Sequence, residues 1–447
     1  MALRGLTVSP RGVLLLDGVR FRNIGMNYIG GVARIYTQPS TTVCTYAPSA
    51  ERSADMAAMA AMGVKVVRVA TFPYWPSHWA SAVLGGKAWN VATSADRVAH
   101  YAEVDDVIAK AKAAGIGVIL TFAFRMQTIS DVCGETPRAW LNSGSNTRTF
   151  ANTMIDEWVT RYKDESAVYG WEFSNEVNHR NDQPDPLGDY PVRNASYGTR
   201  TDYVAATSMF NGSEFASILS YFSARIQAID PQRLIMSGNG PNSYYGPNAI
   251  SFPIRNWITE MARDNPMNSR SMHFYGGIPY CSPDHRGFGS LLTAARYFAQ
   301  ENGQAFVLGE FGNQPFVGAN ITAVGTTVSV ASTAPYSVVV GEVIEVRGAD
   351  QVAYNGIYPI ASLSADRKTF TYIASTAPGA TATGDIAIQQ RDRFSRQIED
   401  VIYSGVDLAL VWQFSDDPNV AHLESVNDPF NAWQIPLIAS ANARLAT

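Results

Sequence analysis

The chain has 447 residues, of which 46% are hydrophobic, 11% aromatic and 16% charged, with a net charge of −5. A charged fraction that far below the roughly 25% of an average soluble protein excludes a disordered chain, which needs high charge and few apolar groups. The mild acidity offers no basic patch for a nucleic acid, and no run approaches the ~18 apolar residues of a membrane span.

The first apolar run, 13–16, is ended at once by Asp17. It is too short for a signal-peptide core of roughly 7 to 15 residues. The expectation is therefore a soluble chain without a visible export signal. It would act outside the cell after lysis, on a virion or after loss of a leader, as a monomer that engages neither membrane nor nucleic acid. Residues 6–21 read as a hairpin turning at Asp17-Gly18, placed to plug the bottom of whatever follows.

From residue 21 onward one joint recurs: an amphipathic helix, a Gly, then an apolar strand. Strand one is 21–25. Ser53 reads as a helix N-cap, Met56 and Met59 recur at helical spacing, and Gly63 fits the position after a helix end, before strand two at 64–69. Val104, Val107, Ile108 and Ala111 mark the next helix, Gly115 its end, and 118–122 strand three. Phe150, Met154 and Trp158 precede strand four at 168–173. Ser213 reads as the cap of a stripe formed by Phe215, Ile218, Leu219, Phe222 and Ile226, ahead of strand five at 234–236. Trp257, Ile258 and Met261 precede strand six at 272–275. Leu291, Ala295, Phe298 and Gly303 precede strand seven at 305–308, and Phe394, Ile398, Val401, Ile402 and Gly405 precede strand eight at 408–412. Eight alternating units predict a parallel sheet closed as a (β/α)8 TIM barrel in the α/β class. An open doubly wound sheet is the competing architecture.

Residues 317–390 break the pattern. They lack Trp, Cys, His and Met and carry short β-rich runs at 326–330, 338–346, 357–360, 369–373 and 386–388, separated by turns such as Asn355-Gly356. They predict a small all-β domain of five or six strands inserted after strand seven. The barrel is then 1–316 plus 391–447.

In such a barrel the reacting groups stand at the C-terminal ends of the strands. Strand four runs out through Trp171-Glu172-Phe173-Ser174-Asn175-Glu176, and strand seven through Gly309-Glu310-Phe311-Gly312. An apolar strand that ends in a carboxylate needs a reason. Two carboxylates facing one cleft meet the requirement for glycoside hydrolysis, one giving a proton to the leaving oxygen and the other attacking carbon. The plainer reading makes Glu176 and Glu310 structural partners of nearby arginines.

Trp171-Glu172-x-x-Asn175-Glu176 together with Glu310-Phe311-Gly312 resembles clan A of the glycoside hydrolases, family 5 most of all, over the whole barrel but not the insertion. That resemblance implies a retaining glycosidase acting on a β-linked polysaccharide such as β-glucan or mannan. Glu176 would be the acid/base and Glu310 the nucleophile, with no cofactor and no metal. It further implies that Arg68 bonds the nucleophile, that Asn175 meets the sugar 2-hydroxyl, that His273 and Tyr275 flank the centre, and that Trp412 is the platform under the sugar. Asn27 matches more weakly. One departure stands out: 121–125, Thr-Phe-Ala-Phe-Arg, lacks the His that many cellulases of the family have near the end of strand three.

Trp75 and Trp79, in an aromatic loop after strand two, either stack on sugar or pack the loop. The acidic segment 181–186 reads as a solvated turn rather than a calcium loop. The insertion, in Val343-Ile344-Glu345-Val346-Arg347-Gly348-Ala349, Tyr354-Asn355-Gly356-Ile357-Tyr358 and Thr369-Phe370-Thr371-Tyr372, resembles small β modules of phage tail and baseplate proteins, which suggests a phage-associated enzyme; a carbohydrate-binding module and a passive spacer are the competing readings. Two other functions share these residues: a glycan-binding attachment protein and a transglycosylase. Cys44, Cys133 and Cys281 are odd in number and widely spaced, which fits no zinc motif and leaves free thiols or one disulfide open.

Overall fold

The computed structural model describes residues 5–33, 46–72, 94–124, 126–176, 212–240, 267–274, 287–312, 316–317, 320–332, 336, 338–379, 381–414, 425–426, 428 and 431–446. The chain opens with an antiparallel meander, β1 (Leu6–Val8), β2 (Leu14–Leu16) and β3 (Val19–Arg20). The expected hairpin thus has a second turn, around Gly12. Seven strands of one parallel sheet follow: β4 (Asn23–Asn27), β5 (Val66–Ala70), β6 (Gly117–Ala123), β7 (Val168–Ser174), β8 (Leu234–Met236), β9 (Ser269–His273) and β10 (Ala305–Phe311). The chain then makes β11 (Phe316–Val317), β12 (Asn320–Val324), β13 (Thr327–Ala331), β14 (Val343–Ala349), β15 (Gly356–Leu363), β16 (Thr369–Ile373) and β17 (Gly384–Gln390), and returns to the parallel sheet with β18 (Leu408–Val411).

The parallel sheet runs β8-β7-β6-β5-β4-β18-β10-β9. Its two ends meet through polar groups rather than a regular ladder. Ile235 N–H donates to Asn268 Oδ1 at 2.8 Å, Ser269 Oγ to the Ile235 carbonyl at 2.6 Å, Gly238 N–H to Ser271 Oγ at 2.8 Å, and His273 N–H to the Asn239 carbonyl at 2.9 Å. Eight parallel strands closed this way and wrapped in helices are a (β/α)8 barrel.

The helices follow the predicted stripes. Helix Asn146–Tyr162 starts at Ser145, whose hydroxyl accepts from Arg148 N–H, and it buries Phe150, Met154 and Trp158. Gly63, Gly115, Gly303 and Gly405 all take left-handed φ of 68 to 74°, as the helix-to-strand joints require. Ser53 is not a cap: its helix begins a turn earlier, at Ser49 after Pro48, whose carbonyl already accepts from Arg52 N–H. The stripe expected at 257–261 lies outside the described residues. A closing helix, Gln434–Leu445, was not anticipated. Its Asn442 binds both backbone groups of Ile24 and the Met62 carbonyl, which ties it to the barrel floor. No described helix is long and apolar enough to cross a membrane.

Alternation along the strands divides the core in two. Outward residues such as Ile24, Val67, Leu120, Trp171 and Leu308 pack under the helices. Inward ones at the lower level, Val66, Ile119, Leu234, Met236, Ala305, Val307, Leu408 and Leu410, close around Leu6 and Leu14 of the meander, which plugs the barrel. Each such apolar side chain contributes roughly 1.5–3 kcal/mol by its burial. The seven-stranded antiparallel sheet has a core of its own, around Ile344, Tyr354, Phe370 and Tyr372.

Candidate active site

One step above that apolar layer, the inward positions turn polar on strand after strand: Asn27 on β4, Arg68 on β5, Thr121 on β6, Glu172 on β7, His273 on β9 and Glu310 on β10. All six are buried. Buried charges need partners, and here they find one another. Arg68 Nε donates to Glu172 Oε2 at 2.5 Å, Nη1 to Glu310 Oε1 at 2.8 Å and to Asn27 Oδ1 at 2.9 Å, and Nη2 to Asn175 Oδ1 at 2.6 Å. Asn27 is itself oriented by donating to the Gly309 carbonyl at 3.0 Å. Burial works against the Arg68 charge, but Glu172 and Glu310 outweigh it and raise its pKa above the ordinary value.

Glu310 reaches this layer through a backbone irregularity. Along β10, Ala305 and Val307 face inward while Phe306 and Leu308 face the helices. Strict alternation would send Glu310 outward with Leu308. Both neighbouring ladders shift register after Leu308, Glu310 pairs with His273, and Phe311 takes the outward place against Phe394. The residue at the bulge is Gly309. A Cβ there would stand 2.9 Å from His273 Cδ2 and Nε2, so only glycine leaves room for the imidazole. A second register shift, at the start of β7, likewise puts Tyr169 inside and still turns Trp171 outward and Glu172 inward.

Glu176 lies just past β7 with φ of 51°, a left-handed conformation that costs on the order of 1–3 kcal/mol in a residue with a side chain. Its N–H donates to the Gly238 carbonyl at 2.7 Å. Gly238 (φ +72°) fits because a Cβ would lie 1.7 Å from the Ser174 carbonyl oxygen. His273 Nδ1 then stands between the two carboxylates, 3.0 Å from Glu176 Oε1 and 3.2 Å from Glu310 Oε1. One donor atom of each of the three lies within 4.8 Å of the others. Burial alone would lower the His273 pKa. The Glu310 charge and the hydrogen bonds of Glu176 and Glu310 overcome burial and the opposing Arg68, and lift it to about 9. The two carboxylates differ in access, with side-chain exposures of 31% for Glu176 and 4% for Glu310.

These three side chains have the donor types and closeness to hold a metal ion. The guanidinium 2.8 Å from Glu310 already supplies positive charge there. The arrangement can do proton transfer from the more exposed carboxyl and nucleophilic attack by the buried one.

Trp412 stands at the mouth on a small apolar patch of Ile29, Ala70 and Phe124, its ring 6.5 Å from that of Phe124. The structure thus brings together Asn27, Arg68, Asn175, Glu176, His273 and Glu310, with Trp412 beside them. Trp75, Trp79 and Tyr275 lie outside the described residues, as do 181–186, Cys44 and Cys281; Cys133 is a free thiol. Thr121 and Glu172 were not anticipated as site residues. Glu172 had a signal, a carboxylate in the middle of an apolar strand. Thr121 had none, since threonine is ordinary in strands.

The family profile described as Cellulase (glycosyl hydrolase family 5) matches residues 32–338. Among curated proteins, none matches this chain. Solved structures of similar fold include the endo-1,4-beta-mannanase from Rhizomucor miehei, at 12% identity and TM-score 0.56 over 98% of this chain and 99% of that one. The glycoside hydrolase family 5 mannosidase from Rhizomucor miehei follows at 12% and 0.56 over 100% and 98%. The endo-beta-1,4-mannanase from Thermotoga petrophila is similar at 14% and 0.55 over 97% and 78%.

Proposed function

This chain belongs to the cellulase family, glycosyl hydrolase family 5, and we propose that it is a retaining β-glycosidase that cuts within a β-linked polysaccharide, with Glu310 as nucleophile and Glu176 as acid/base. The observation that carries the reading is the Glu176–His273–Glu310 set, with one donor atom of each within 4.8 Å of the others. Retaining enzymes hold their carboxyl groups about 5–5.5 Å apart, whereas inverting ones leave about 6.5–9.5 Å for a water between them.

Glu310, buried and gripped by Arg68, is the carboxylate suited to attack. Its oxygen bonds to the anomeric carbon as the glycosidic C–O bond breaks, and Glu176 delivers its proton to the departing oxygen. Water then enters from the Glu176 side. Glu176 takes back a proton, the new hydroxyl bonds to carbon, and the ester to Glu310 is released. Asn175 presents its Oδ1 to Arg68, so its amide nitrogen serves the sugar 2-hydroxyl, a bond that strengthens as the transition state forms. Trp412 supplies an apolar face for the ring. The fold neighbours named as mannanases make β-mannan the first substrate to test, with β-glucan second.

The test is Glu310→Ala and Glu176→Ala on activated aryl β-glycosides of mannose and glucose. Each variant should lose at least ~10³-fold in turnover. Azide should rescue Glu310→Ala with an α-glycosyl azide as product and Glu176→Ala with a β-glycosyl azide. Near-normal turnover in either variant, or swapped azide products, would overturn the assignment.

A further inference from the structure

We infer that Glu172 is a positioning residue for this reaction: it takes the Nε edge and half the charge of Arg68, so that the guanidinium orients Glu310 without neutralising it. The inference rests on the proposed role of Glu310. Glu172 is fully buried on β7, in the same inward layer as Glu310. An ion pair at such depth is seldom a net gain in stability, which directs attention to what it holds in place. Its Oε2 accepts from Arg68 Nε and from Thr121 Oγ1, both at 2.5 Å. A guanidinium is a rigid planar fork. With Nε fixed on Glu172, its plane can rotate no further, and Nη1 and Nη2 are aimed at Glu310 and Asn175. Among the described residues, the other oxygen of Glu172, Oε1, has no hydrogen-bond partner. The carboxylate is held for what Oε2 does, at the expense of the other oxygen.

The charge matters as much as the geometry. Among the described residues, the charged groups facing Glu310 are Arg68 from β5, His273 from β9 and, across that imidazole, Glu176, with Glu172 of β7 behind Arg68. Remove the Glu172 charge, and Arg68 becomes a counter-ion for Glu310 alone. Glu310 would then hold its electrons more tightly, attack carbon less readily and bind a proton only at lower pH.

Glu172→Gln keeps the shape and the acceptor for both donors but removes the charge. On the aryl glycoside that the native enzyme turns over, kcat should fall about 10- to 100-fold with KM little changed, and the acid limb of kcat/KM should move down by roughly one pH unit. Glu172→Asp, which keeps the charge but withdraws it, should recover the acid limb and not the rate. The control is a surface variant, Glu399→Ala, which lies outside the site. A 2-fluoro aryl glycoside separates the two claims, since it should trap Glu310 as its ester, read by peptide mass. No ester on Glu310 in the native enzyme would overturn the parent assignment. An ester there, with native kcat and an unmoved acid limb in Glu172→Gln, would overturn the role of Glu172 alone. Should Glu172→Gln fail to fold, Thr121→Val loosens the same carboxylate without changing charge. It should lower kcat with the acid limb in place, and an unchanged kcat would again sink the role.

Discussion

Two buried histidines are driven in opposite directions by their surroundings. His273, between Glu176 and Glu310, is raised to about 9. His100 lies against Phe72, ring centroids 4.8 Å apart and nearly parallel, and beside Trp158. Burial drives its pKa down to about 3, against a small opposing hydrogen bond to Thr71. Between about pH 6.5 and 9 the folded chain keeps a proton on His273 that the unfolded chain has lost. That stabilisation is complete below 6.5 and disappears as pH rises through 9. Between 6.5 and 3 the unfolded chain binds a proton that His100 refuses, so stability falls as pH falls. The His273 arm is of the order of 2 kcal/mol, since a coupled buried pair realises only part of what the span implies. Urea midpoints from about pH 4 to 10 should therefore peak near neutrality. His273→Gln should flatten the alkaline arm, and His100→Phe the acid one. An alkaline slope that survives in His273→Gln would show that His273 is not held as a cation.

At the scale of elements, most strands were legible because a strand covered on both faces reads as a continuous apolar run, and a Gly marks the joint before four of them, at 63, 115, 303 and 405. Strand β9 was legible only from Met272. Its first residues, Ser269 and Ser271, face inward to hydrogen-bond β8 rather than to fill an apolar layer, and hydroxyls carry no hydrophobic period. The closing helix was legible in the stripe Ile438, Ala441 and Leu445, while the residue that ties it to β4, Asn442, is polar and carries no hydrophobic period. Glu176 and Glu310 stood out as acids ending apolar strands, yet the turn that aims Glu310 was invisible. Alternation puts it on the outer face, and only the bulge at Gly309 reverses that. Gly309→Ala tests the device. Its Cβ would press on the His273 ring at 2.9 Å, displacing the imidazole from the two carboxylates. We expect kcat to fall about 10²-fold with a comparatively small drop in Tm. Native kinetics in a variant that folds would mean the ring has room the structure does not show.

For the whole molecule, the question is how a seven-stranded sheet sits on a barrel in a chain with so little charge. β17 runs without a break into helix Arg391–Ser404, and the joint gathers charges that are scarce elsewhere. Glu342, at 2% exposure, accepts from Val339 N–H at 3.1 Å, Gln390 Nε2 at 3.1 Å and Arg396 at 3.3 Å. Buried Arg393 also faces it; burial lowers the Arg393 pKa to about 10 against the pull of Glu342. Asp392 accepts from Val343 N–H at 3.0 Å, Trp433 Nε1 donates to Gln389 at 3.0 Å, and Gln389 also bonds Asn431. Polar bonds of this kind, made from both sides of one continuous strand–helix passage, should couple the unfolding of the sheet to that of the barrel. Glu342→Ala would take away a buried carboxylate that faces Arg393 and accepts from Gln390 and Arg396, a loss of up to about 3–5 kcal/mol. Glu342→Gln, which can still accept hydrogen bonds, should lose less. Calorimetry on the full chain should show one transition in the native protein, moved down in both variants, while kcat on aryl glycosides at low temperature stays native. Two separate transitions in the native protein, with only the smaller one moved by Glu342→Ala, would mean that the sheet melts on its own and that the joint does not couple it to the barrel.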